Sequence, residues 1–140
     1  MKMEWFIYSL VSMFFLAALF LLIKKISILG VRSDVLLMYY FGLAAVFLFI
    51  FLLSSKTSLS INKYILFLLL LTAVVGVLGN LYLVKSMAVS PNPGYSLAVA
   101  GVHILLVGVA SVFLFKSDFG LTKVIGAILA ISGIILLGLK

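Results

Sequence analysis

The chain has 140 residues, of which 66% are hydrophobic and 9% charged, with a formal net charge of +7 and no cysteine. A soluble globular domain carries about 25% charged residues, so this composition is that of a helical integral membrane protein. The missing cysteine excludes disulfides, thiolate metal sites and cysteine nucleophiles, and the basic residues lie scattered at the ends of apolar runs, which reads as interfacial anchoring and argues against nucleic acid as a partner.

Residues Met1 to Glu4 form a short polar start, and Trp5 to Ile23 is the first expected span. Its 19 residues exceed the apolar core of a signal peptide, about 7–15 residues, and no small-residue cleavage site follows, so the segment is expected to be retained. Lys24, Lys25, Gly30, Arg32 and Asp34 mark the first connection, and Val35 to Leu53 is the second span. Tyr39 and Tyr40 lie one turn in, where they read as an aromatic belt or as part of a substrate-cavity wall. Ser54 to Lys63 is the most polar segment and is expected to be a loop.

Tyr64 to Val84 is the third span, with Thr72, Gly76 and Asn80 at successive i+4 positions. That row puts small and polar groups on one helical face, which is expected to meet protein rather than lipid. Ser90-Pro91-Asn92-Pro93-Gly94 holds both prolines of the chain and must turn. The fourth span, Tyr95 to Phe115, has 21 residues, roughly 31 Å of helix. Gly94, Gly101 and Gly108 share one side of it. His103, about 200° round from Gly101, lies on another face with Ser96, Ala100 and Ala110. Lys116 to Lys123 connects to the fifth span, Val124 to Leu139, whose 16 residues are short enough that it is expected to begin nearer Leu121, with Lys123 snorkelling. Gly126, Ala130 and Gly133 give that span a small-residue seam.

The expected fold is therefore all-α: a single transmembrane domain of five helices, spanning about 5–23, 35–53, 64–84, 95–115 and 121–139, with close packing at Gly101, Gly108, Gly126, Ala130 and Gly133. Five spans place the termini on opposite sides. Lys2, Lys56, Lys63, Lys116 and Lys123 then fall on one side, and Lys24, Lys25, Arg32, Lys85 and Lys140 on the other. This even split gives the positive-inside rule no preference, as expected of a chain that inserts in both orientations.

Reactive chemistry is hard to build from these residues. Gly76 and Gly79 sit inside an apolar helix with no Lys-Ser/Thr after them, so no phosphate loop is present. One histidine and three scattered acids make neither a metal site nor a triad. No enzyme, metal or cofactor is expected. His103, the ninth residue of its span, sits roughly 12 Å in, where an ionisable group is costly and tends to mark a pathway. It can bind a polar substrate or take a proton if water reaches it; the alternative is a structural interhelical hydrogen bond, a role equally open to Asn80. The candidate substrate-binding residues are His103, Asn80, Ser96, Tyr39 and Thr72.

Several stretches resemble a single EamA-like repeat of the drug/metabolite transporter superfamily. They are the Lys24-to-Gly30 break, the third span ending in YLVKSMAVSP, the PNPGY turn, the VFLF end of the fourth span, and FGLTKVIGAILAISGIILLGL. Where that family often has a proline within the fourth helix this chain has His103, and where a glutamate often follows that helix it has Lys116. The resemblance implies a half-size transporter of small polar or amphipathic metabolites in the plasma membrane, working by alternating access. Full-length relatives carry two five-helix repeats in inverted orientation, which implies an antiparallel homodimer or a heteromer with a second repeat. The alternatives are a structural membrane subunit or a cation exporter like the small multidrug resistance proteins. Those exporters carry a glutamate within the first helix, whereas Glu4 here precedes Trp5.

Overall fold

The computed structural model describes residues 4–55, 57, 59–116 and 120–138, and over these the chain is helical apart from turns and connections. Lys2, Lys56 and Lys140, used above in the balance of basic residues, lie outside the described residues. The helices are α1 (Glu4–Ile28), α2 (Ser33–Ser54), α3 (Lys63–Val89), α4 (Pro93–Ala100), α5 (His103–Phe115) and α6 (Leu121–Gly138). Residues 1–88 and 89–140 form two compact units.

In the first unit, α1 runs for 25 residues, roughly 37 Å, five residues beyond the expected span. It is apolar around its whole circumference, as a helix solvated by lipid should be. At its end Leu29 N–H is shared between the carbonyls of Lys25 (3.2 Å) and Ile26 (3.1 Å), and Gly30 takes φ +86°. Only glycine adopts that angle without strain, so the chain reverses there. Helix α2 then starts on the Arg32 carbonyl, which accepts from Leu36 N–H at 2.9 Å, and packs against α1. Helix α3 starts on Asn62, whose side chain accepts from Ile65 N–H at 2.8 Å. This cap satisfies one of the donors that every helix leaves open at its N-terminus.

The buried apolar side chains are Ile23 at the end of α1, Leu36 and Leu37 at the start of α2, and Val84 and Met87 at the end of α3. Up-down-up topology brings these three helix ends to the same side of the unit. Elsewhere large apolar groups point outward: Phe47 is 72% exposed and Phe51 65%. In water such a surface would be prohibitive, whereas in a bilayer it faces its proper solvent.

The second unit opens with Asn92, whose side chain accepts from Gly94 N–H at 2.8 Å, while Pro93 occupies the first turn of α4. Proline's missing N–H costs nothing there. Helix α4 packs against α6. The single fourth span expected over residues 95–115 is divided into α4 and α5 by Gly101 and Val102. Together these helices cover 23 residues, Pro93–Phe115, which is long and apolar enough to cross a membrane, as are the segments Phe6–Ile28, Ser33–Ser54 and Lys63–Val89. Helix α6 is shorter, at 18 residues, and begins at Leu121.

Candidate functional site

The break between α4 and α5 is local. Gly101 and Val102 keep right-handed helical angles (φ −56°, ψ −17° and φ −56°, ψ −26°), but the hydrogen bonds change partners. Gly101 N–H still reaches back four residues to Leu97 O (2.8 Å). Val102, Ile104 and Leu105 instead reach only three, to Val99 O (3.3 Å), Gly101 O (3.0 Å) and Val102 O (2.9 Å). One tight turn of 3₁₀ type thus interrupts the α-helix. No proline is involved.

In a regular helix Ile104 N–H would serve the carbonyl of Ala100, but here it is bound to Gly101. The imidazole of His103 takes its place, with Nδ1 2.6 Å from Ala100 O. The ring thus caps the carbonyl that the tight turn leaves without its usual partner. His103 is the first residue of α5, and its side chain is exposed.

The other four candidates are placed differently. Ser96, on α4, is only 7% exposed. Tyr39 lines an apolar groove of about 530 Å³ between α1 and α2, together with Leu22, Ile26, Leu36 and Tyr40. Thr72 lies in a separate shallow hollow along α3 and donates to Leu68 O at 2.9 Å. Asn80 is half-buried and donates to Gly76 O at 2.9 Å, so the row Thr72–Gly76–Asn80 is bonded back along its own helix. Tyr39, Thr72 and Asn80 belong to the first unit, Ser96 and His103 to the second.

Of the expected packing positions, Gly101 and Gly108 are half-buried. Gly126, Ala130 and Gly133 are exposed, and a Cβ added at either glycine would meet nothing within 4 Å. The side of α6 that is part-covered carries Val124, Ala127 and Ile134 instead.

One residue that sequence reading passed over proves important. Lys24 is half-buried and its ammonium donates to Met87 O (2.8 Å) and Ala88 O (3.1 Å), at the last turn of α3. A lysine pair closing an apolar run reads as a snorkelling anchor. Its true partners lie 63 and 64 residues away, and no local signal announces them.

Comparison with known proteins agrees with this helical membrane architecture. The EamA-like transporter family matches residues 3–139, essentially the whole chain. The chain belongs to the EamA-like transporter family. No curated protein and no solved structure was found to match it. As an EamA-like chain it is a multi-pass membrane protein of a transporter family, and its all-helical fold is the one expected from sequence. Among the described residues no cluster of His, Cys, Asp or Glu is placed to hold a metal.

Proposed function

We propose that this EamA-like chain is one repeat of a plasma-membrane transporter that moves small polar or amphipathic metabolites by alternating access. The observation that carries the reading is the interrupted fourth span with His103 at its break. A discontinuous helix with a polar group at its centre is how transporters commonly place a substrate site within the bilayer. Tyrosines aside, His103 is the one ionisable side chain set well inside an apolar run. The cost of holding it there is reasonable if it faces a path that water and substrate share.

A single repeat needs a second to alternate against, and an antiparallel homodimer supplies it. An odd number of spans and the even division of basic residues support this assembly, since a chain inserting both ways provides its own inverted partner. The exposed Gly126/Ala130/Gly133 face of α6 would form part of the isologous interface, where small residues let backbones approach. Single-cysteine labelling of intact cells at Thr57 and, separately, at Leu29 tests it. Each position should label from both sides in comparable amounts. Labelling from one side only would overturn the antiparallel homodimer.

A further inference from the structure

We infer that His103 recognises an uncharged hydrogen-bond donor on the substrate, a hydroxyl or amide group, through the lone pair of its Nε2. The inference rests on the transport site proposed above and names the chemistry that site selects.

A carbonyl oxygen can only accept a hydrogen bond, so the 2.6 Å contact with Ala100 O requires Nδ1 to carry the proton. In the neutral ring the other nitrogen, Nε2, then holds a lone pair and can only accept. The backbone thus fixes the tautomer, and with it the polarity of the free edge of the ring. Because the side chain is exposed, that edge is open to a ligand.

The surroundings narrow the class further. A helix start ordinarily offers free N–H groups that attract anions. Here the amides of Ile104 and Leu105 are already spent on Gly101 O and Val102 O, which leaves an anion little to bind. A cation would need a carboxylate, yet the acids of the described residues lie at helix starts. Glu4 opens α1, and Asp34, in the first turn of α2, is held by Arg32 through contacts of 2.6 and 3.2 Å. The third acid, Asp118, lies between apolar runs. No carboxylate lies within the apolar run that holds His103, so a full charge there would have no counter-ion on its own span. An uncharged donor suits the site.

Two substitutions separate the two nitrogens. His103→Asn places an amide N–H near the Nδ1 position and keeps the Ala100 contact, but removes the acceptor at Nε2. His103→Gln reaches the Nε2 position and gives up the Ala100 contact. Because this is the only histidine of the chain, ¹⁵N-histidine labelling of the full-length protein in nanodiscs reports one ring.

The probes are mannitol and acetamide as uncharged donors, acetate as an anion and tetramethylammonium as a cation. The neutral ring should show its proton on Nδ1, and mannitol or acetamide should move the Nε2 resonance while acetate and tetramethylammonium leave it in place. His103→Asn should weaken mannitol binding at least tenfold without lowering thermal stability. A neutral ring protonated on Nε2, a response to acetate or tetramethylammonium in preference to the donors, or no response to any probe would each overturn the inference. Flux in proteoliposomes separates this rule from the transport reading. Binding at Nε2 with no flux of mannitol or acetamide overturns transport and leaves the recognition rule standing. Flux that survives His103→Asn at full rate overturns the recognition rule and leaves transport standing.

Discussion

Lys24 carries its charge to the last turn of α3, where Met87 O and Ala88 O lack intrahelical donors and accept from its ammonium. A cation there satisfies open carbonyls and also complements the negative end of the helix dipole. Replacing Lys24 with methionine keeps the packing of the aliphatic stem and removes both bonds. The expected loss is about 1.5–3 kcal/mol, the range for hydrogen bonds to a charged group, read by denaturant titration in mixed micelles. Lys25, its neighbour, is exposed, and the same replacement there should cost much less. Asn62 is a second residue with a defined local task, since it caps α3 through Ile65 N–H at 2.8 Å. Asn62→Ala should lower stability by about 1 kcal/mol. The side chains of Thr72 and Asn80 differ from these two in bonding back to their own helix, so they join no neighbouring element through those donors.

At the scale of the element, the division of the fourth span is the main departure from a regular helix. Gly101 lacks a side chain and Val102 is β-branched, so both are weaker helix formers than leucine or alanine. Neither forbids a helix, and the angles at both remain helical. What holds the tight turn is the exchange of partners around Ala100 O, completed by His103. With His103→Ala that carbonyl would be left unpaired in the bilayer, an expensive state, and the remedy at hand is for Ile104 N–H to return to it. The helix should then straighten. Spin labels at Tyr95 and Leu114 should report a changed separation in that variant and an unchanged one in His103→Asn, measured by pulsed electron resonance. An unchanged separation in both would mean that the turn stands without the imidazole. The same two variants thus test the element here and the ligand chemistry above.

For the whole molecule, the decisive feature is how little of the apolar surface the chain covers by itself. Its buried apolar residues, Ile23, Leu36, Leu37, Val84 and Met87, come from three helix ends, while long stretches of α2 and α3 face outward. Lipid accounts for most of that surface. The exposed small-residue face of α6 is the part best suited to another helix, because glycine lets backbones come close and leaves lipid poorly packed. If the proposed antiparallel dimer uses it, Gly126→Leu together with Gly133→Leu should abolish assembly while leaving single chains folded, since a Cβ at either site meets nothing nearby. Loss of the dimer with retained helicity, by native mass spectrometry and circular dichroism, is the expected result. Two lysines added to the Ser54–Lys63 loop should lock one orientation and abolish transport, which returns when a copy locked the other way is co-expressed. A variant locked in one orientation that still transports at full rate would exclude the dual-insertion arrangement.

The sequence by itself determined the apolar runs, the all-α fold, the family resemblance and the principal turns, because each depends on composition or on chemistry within a few residues. Asn92, Pro93 and Gly94 predict the turn before α4, and the structure adds that the Asn92 side chain caps it through Gly94 N–H. Gly30 breaks the chain after α1 because only glycine is at ease at φ +86°. The exact ends of the spans were less legible. Helix formation in an apolar chain continues until a breaker stops it, so α1 and α3 extend to Ile28 and Val89, beyond the hydrophobic limits read from charge. Only the tertiary structure decided that Lys24 serves α3, because its partners are distant in sequence, and that the Gly126/Ala130/Gly133 face is left open rather than buried. His103 falls between the two cases. Its rarity within an apolar run could be read directly, but its role at the break could not. That role depends on which carbonyl loses its partner when three amides change theirs, and hydrogen-bond exchange of that kind leaves no mark in residue spacing.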